Sequence, residues 1–402
     1  MTLHHMRLAG RGEFDHAAAM TAVAAMIAVL FAGSTVLTPL YVIYKQAFGF
    51  SQITLTLVYA VYVVGNLTAL LLFGRISDSV GRRPVALAAM AVAVLSAFIF
   101  LVAGNVVSFD IARILSGFAI GVGAGTGTAW LAELIAHEDK SQASVIATST
   151  NFLGLGVGAL ASGLLADYAP LPLRLTFIVY LLALIVVAIL IWHTRETAQR
   201  TPLSLKVRLT VPENIRVGFV APAVSGFGAM ALVGFYAAIA PSILAQRLHE
   251  TSHAVAGAVF FELAIVASAT ILLTARLSSR TAMLSGLGLM IPTTALIVAA
   301  QILASLPLMI IATASCGITA ALGYRGGLQV VNQIAPADRR AEVVSAFFIC
   351  CFCGNALPVI GIGIISTLAG AITASLAFAA MIALFSLAAL GFGLTYARRG
   401  MS

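Results

Sequence analysis

Long stretches without a single charged residue recur along this chain, and they limit what it can become more than any other feature. Residues 84–105, PVALAAMAVAVLSAFIFLVAGN, are one example, and comparable stretches follow one another from the first quarter to the last. In hydrocarbon every backbone N–H and C=O must find its partner within the protein, so only helices and closed barrels span a bilayer. A barrel strand alternates polar and apolar side chains over ~10 residues, and these runs do not alternate. A spanning helix needs ~20 apolar residues. Twelve segments meet that requirement: roughly 17–45, 51–73, 84–104, 107–134, 142–168, 173–192, 217–245, 253–275, 282–303, 306–333, 342–368 and 371–396. Composition agrees: 61% of the 402 residues are apolar, 9% are charged and the mean hydropathy is +1.07. A soluble domain carries about 25% charged residues, so an ordinary soluble fold and a disordered chain are both excluded. The first run is too long for the apolar part of a signal peptide and reads as a retained span. The expected fold is an all-α membrane protein of twelve transmembrane helices.

Charge placement adds an orientation. Of the 22 Lys and Arg, seventeen fall in the loops and tails that share a side with the two termini. Three fall on the other side: Lys45, Arg174 and Arg247. Arg113 and Arg325 lie inside segments. Cytoplasmic loops carry the excess of basic residues, so both termini are expected in the cytoplasm of a cell whose plasma or inner membrane holds the chain. The net charge of +8 is then a topology signal and not a nucleic-acid signal. The longest polar stretch, 193–216, divides six segments from six. Expected units are therefore 1–192, a cytoplasmic loop 193–216, and 217–402. The loops after segments 2 and 8, and those after segments 4 and 10, resemble each other at displacements of about two hundred residues. That is the mark of a parallel repeat with a substrate site between two pseudo-symmetric six-helix bundles.

The chemistry-bearing residues are few. Gly74-Arg75-Ile76-Ser77-Asp78-Ser79-Val80-Gly81-Arg82-Arg83, between segments 2 and 3, resembles the signature loop of the major facilitator superfamily, G-x-x-x-D-[RK]-x-G-R-[RK], with Ser79 at a position usually basic. Asp78 opens a tight turn, Gly81 permits it, and Arg82 and Arg83 offer charge-assisted hydrogen bonds. Glu133, at the end of segment 4, is expected to join this latch. Arg113-Ile114-Leu115-Ser116-Gly117 resembles the R-x-x-x-G pattern of proton-coupled members. Gly154-Leu155-Gly156-Val157-Gly158-Ala159-Leu160-Ala161-Ser162-Gly163 resembles the antiporter pattern G-x-x-x-G-P-x-x-G-G, with Ala159 and Ser162 in place of Pro and Gly. The resemblance implies a secondary transporter similar to twelve-helix drug:proton antiporters. The same glycines, and Gly121, Gly123, Gly125 and Gly127 of segment 4, also suit close helix packing.

Ionisable groups inside a membrane are functional candidates by default. Glu262 stands midway along segment 8 and is the only acid placed deep in a span, which makes it the candidate for a coupling proton. Arg113 and Arg325 are candidates for the substrate cavity, with Tyr41, Asn66, Asn151, Tyr236, Asn332 and Asn355 as polar companions. Pro39, Pro241 and Pro358 are expected to kink segments 1, 7 and 11. Cys316, Cys350, Cys351 and Cys353 lie in apolar runs and read as shielded structural thiols. No Cys/His spacing fits a metal, and no nucleotide-binding or hydrolase motif is present, so no cofactor and no enzyme activity is expected. The leading function is proton-coupled efflux of small amphipathic compounds by a monomer in the bilayer, driven by the proton gradient. Proton-coupled transport of a small organic anion is the alternative, resting on two intramembrane arginines. A non-transporting scaffold or receptor on the same fold is a third.

Overall fold

The computed structural model describes residues 14–135, 140–198, 210–336 and 339–399. Arg7, Arg11, Arg200, Lys206 and Arg208 of the charge split, and 136–139 and 337–338 of the loops that suggested the repeat, lie outside the described residues. Twelve helices are long and apolar enough to cross a membrane: α1 (His16–Thr35), α2 (Gln52–Phe73), α3 (Arg82–Val102), α4 (Val106–Leu134), α5 (Val145–Tyr168), α6 (Pro172–Trp192), α7 (Glu213–Ala238), α8 (His253–Leu273), α9 (Ser279–Ile302), α10 (Leu306–Ile334), α11 (Arg340–Ala369) and α12 (Ala371–Leu394). No strand occurs among the described residues. One end of the bundle carries the 74–83 loop, residues 193–198 and the α8–α9 turn; we call it the basic face, and the other the opposite face.

Three short helices lie outside the spans: Tyr41–Phe48, Ile76–Val80 and Ala240–Arg247. The first and last continue α1 and α7 beyond a break. In the first segment the break is a turn over 36–40 that contains Pro39, so the expected single helix is two pieces. In the seventh it falls at Ile239, just before Pro241. Pro358, by contrast, sits inside the unbroken α11. A third break, at Val61 within α2, has no proline.

The two halves are wired alike. In the first, α1 packs on α4, α5 and α6, α2 on α4, and α3 on α4 and α6. In the second, α7 packs on α10, α11 and α12, α8 on α10, and α9 on α10 and α12. Two seams join the halves, α5 against α8 and α2 against α11, and each seam is the image of the other under exchange of halves.

Small residues set the closest approaches. A Cβ at Gly65 would lie 2.0 Å from Ile114 O, and one at Gly117 would lie 2.0 Å from Tyr62 O, so α2 and α4 cross backbone to backbone. The glycines of α5 divide between two neighbours. Gly154 and Gly158 face Ala28 and Ala32 of α1, while Gly156 and Gly163 face Ala264 and His253 of α8. Without side chains, helices approach closely enough for dispersion to act between backbones in lipid.

Candidate functional site

The latch assembles on the basic face from parts far apart in sequence. Arg82, the first residue of α3, is the hub, with a side chain only 8% exposed. Its Nη1 reaches Asp78 at 2.5 Å and Ser77 Oγ at 2.7 Å, and its Nη2 donates to Glu133 of α4 at 2.6 Å. Gly81 has φ +123°, where a side chain is strained, and as an N-cap it offers the helix no acceptor. The orphaned N–H groups of Arg82 and Arg83 donate instead to Glu196, at 2.8 and 2.9 Å. Thr197 donates to Glu133. Glu196 and Thr197 belong to the polar segment after α6, and sequence reading did not find them. A carboxylate at a helix N-terminus is favoured both as acceptor and by the helix dipole. Gly74 ends α2 beside this loop. Arg83 also reaches toward Trp192 O, 3.5 Å away. The second half has a neutral counterpart. Ser279, the first residue of α9, donates to Gln333 of α10 at 3.0 Å, as Arg82 does to Glu133.

Arg113, near the opposite face on α4, is fully buried. Its Nη1 donates to Ser34 O at 3.0 Å, its Nη2 to the Tyr41 hydroxyl at 3.0 Å and its Nε to Val58 O at 3.4 Å. Both carbonyls sit where a helix stops, at the end of α1 and before the Val61 break, so neither is fully claimed within its own helix. The guanidinium also lies 5.5 Å from the Tyr59 ring centroid and 5.4 Å from that of Tyr62. A cation held against aromatic faces away from water gains ~2 kcal/mol. Those two tyrosines carry the arrangement into the second half. Their hydroxyls donate to one atom, Asn355 Oδ1 of α11, at 2.6 and 2.9 Å. Asn355 Nδ2 in turn donates to Met230 O at 3.3 Å. Arg113, Tyr41 and Asn355 thus fall into one network, through Tyr59 and Tyr62. The sequence signal for those two was a pair of tyrosines one turn apart on an apolar span.

The other candidates are placed separately. Glu262 is half-buried on α8, makes no hydrogen bond or ion pair among the described residues, and lies within electrostatic reach of buried Tyr236 on α7. The Tyr236 hydroxyl is 3.2 Å from Thr313 Oγ1 of α10. Arg325 is buried on α10. Its Nη2 donates to Thr274 O, the C-cap of α8, at 2.8 Å, while its Nε and Nη1 are buried without a partner. Asn66 is buried where α2 meets α4, with Oδ1 unpartnered. Asn151 is half-buried on α5, and Asn332 is exposed, with Nδ2 on Leu328 O. The four cysteines are free thiols, Cys316 and Cys351 buried, Cys350 and Cys353 half-buried.

Twelve helices long and apolar enough to cross a membrane, in two like-wired halves joined along two seams, define a multi-pass membrane protein built from two related six-helix bundles. The model of the Major Facilitator Superfamily matches residues 23–358, and the chain belongs to that family. Among curated proteins, it is similar to an uncharacterised transporter of Schizosaccharomyces pombe, 28% identical over 135 residues, which are 34% of this chain and 28% of that protein. It is also similar to the multidrug resistance protein MdtL of Vibrio parahaemolyticus, 38% identical over 76 residues, 19% of this chain and 18% of that one. These matches span less than a third of the relatives' own length. Among solved structures, the human organic anion transporter MFSD10 is matched at 18% identity with a TM-score of 0.67, over 94% of this chain and 100% of that one. A bacterial homologue of the human lysosomal transporter Spinster, inward-facing and unoccupied, is matched at 16% identity with a TM-score of 0.71, over 94% and 98%. These likenesses establish the fold.

Proposed function

We propose that the chain is a proton-coupled secondary transporter that exports small amphipathic compounds by alternating access, with Glu262 carrying the coupling proton. The observation that carries the substrate reading is the state of Arg113. Each of its nitrogens already donates within its own half, and aromatic rings lie against it. Three of its five N–H donors are taken and the side chain is fully buried, so it is not placed to grip an anionic cargo. The likeness to a protein named for multidrug resistance points the same way. Glu262 is proposed for the proton because it stands mid-span with no partner that would hold it charged. The basic face is proposed to be cytoplasmic in a plasma or inner membrane, on the excess of Lys and Arg. We also assign the conformation as open to that face. The hydrogen bonds of Tyr59 and Tyr62 to Asn355, of Ser242 to Gln52 and of Ser252 to Asp167 join the halves at mid-membrane and toward the opposite face, which supports a conformation closed there. In the other conformation, Asp78 and Arg82 would help hold the two basic ends together.

Export of a small organic anion is the second reading. It rests on Arg325, whose two unpartnered buried nitrogens form a site of unmet donors, and on the likeness in fold to the organic anion transporter MFSD10. Proteoliposomes under an imposed pH gradient, offered a panel of organic cations, neutral amphiphiles and carboxylates, separate the two. We expect cations or neutrals to be concentrated by wild type. Glu262→Gln should abolish gradient-driven accumulation while sparing exchange. Accumulation that survives in Glu262→Gln would place coupling elsewhere. Carboxylate accumulation that is lost in Arg325→Ala would decide for the second reading.

A further inference from the structure

On the opposite face, one carboxylate closes the seam between α5 and α8. Asp167, in the last turn of α5, belongs to the first half; α8 belongs to the second. Asp167 accepts four hydrogen bonds, all from the first residues of α8 and their cap. Ser252 Oγ donates at 2.6 Å, His253 N at 3.1 Å, His253 Nδ1 at 2.7 Å and Ala254 N at 2.8 Å. The first N–H groups of a helix have no intrahelical acceptor. α8 has its own N-cap, Ser252, whose side chain takes only Val255 N. The two preceding N–H groups are satisfied by a residue of the other half. Glu250 completes the corner by accepting from Ser252 N at 3.0 Å. The Asp167 side chain is 18% exposed, at a rim where the residue itself meets solvent.

We propose that Asp167 is the gate residue of the opposite face: it caps α8 across the seam in the closed state, and each transport cycle must break that cap. Three features support it. The contact joins the halves and stabilises neither alone. It lies at the rim, where separation of the halves is widest when that face opens. It also meets a backbone approach with no side-chain cushion, since a Cβ at Gly163 would lie 2.4 Å from His253 O. α5 and α8 therefore meet tightly below the cap, and the cap is the polar fastening at their end. Among the described residues, the two arginines placed toward this face, Arg174 on α6 and Arg247 at the end of Ala240–Arg247, form no ion pair with Asp167. Among the described residues, the charged or titratable neighbours in the cap are His253 and Glu250.

The test uses spin labels at Gly104→Cys and Leu303→Cys, exposed loop positions on the opposite face, one in each half. Wild type should give one dominant short distance. Asp167→Asn should add a longer population and raise the labelling of seam residues from that face. Asp167→Glu should restore the short distance in part. His253→Pro separates gating from folding. It removes two of the four donors, yet stands at the first helical position after an extended residue, where proline is favoured. It should also open the face, with an unchanged melting temperature. If Asp167→Asn fails to fold, His253→Pro decides alone. A short-distance population equal to wild type in a folded His253→Pro variant would overturn the proposal.

Discussion

At the scale of the residue, Arg113 shows how a charge is tolerated in the membrane without a counter-charge. It pairs with two carbonyls freed by helix breaks, one hydroxyl and two ring faces. A planar fork satisfies three acceptors at once, and an ammonium cannot reproduce that geometry. Arg113→Lys should therefore leave at least one buried acceptor unmet and cost about 1–3 kcal/mol. The loss should appear as a lower melting temperature in detergent, partly matched by Tyr41→Phe. An Arg113→Lys protein as stable as wild type would show that the breaks at 36–40 and Val61 stand without it. The motif around Arg113 was legible in sequence, and so was the cost of its charge. Its partners were not. Tyr59 and Tyr62 sit in an apolar span, and only the fold shows that both hydroxyls meet Asn355, nearly three hundred residues away.

At the scale of the element, the spans were written in the absence of charge, and helix ends fall within a few residues of the expected edges except in segments 1 and 7, where α1 ends ten residues and α7 seven residues early at a break. Breaks were harder to read. Pro39 and Pro241 lie at breaks; Pro222, Pro292 and Pro358 lie inside continuous helices; Val61 marks a break with no proline. Whether proline ends a helix depends on whether neighbours satisfy the freed carbonyl, and that is a tertiary matter. The start of α3 teaches the same lesson. Gly81 makes the turn but cannot cap it, and the cap arrives from Glu196. Glu196→Gln replaces a carboxylate by an amide with a single acceptor, and we expect a cost of about 1 kcal/mol. Hydrogen exchange should quicken at the first amides of α3 and not at its centre. Exchange unchanged at Arg82 and Arg83 would exclude the cap.

At the scale of the whole molecule, the repeat is exact in wiring and broken in chemistry. Arg82–Glu133 in one half answers to Ser279–Gln333 in the other, so an ion pair at one position is a neutral hydrogen bond at its counterpart. The proposed orientation rests on the excess of Lys and Arg on the basic face and is open to direct measurement. In a background with the four cysteines replaced by serine or alanine, Arg195→Cys should resist a membrane-impermeant maleimide in intact cells and react after permeabilisation. Labelling in intact cells would invert the assignment. One further consequence lies in how the middle of the chain is fastened. Glu196 and Thr197 are tied to the first half, while Val211 and Ile215 pack into the second half beside Val331, Val343 and Phe347. Each half owns one end of the connection. A nick made between 199 and 209 would leave both fragments with their moorings intact, so two separately translated pieces could reassemble into a working transporter. A nick before 196 would send the first half out without the acid that completes its third helix.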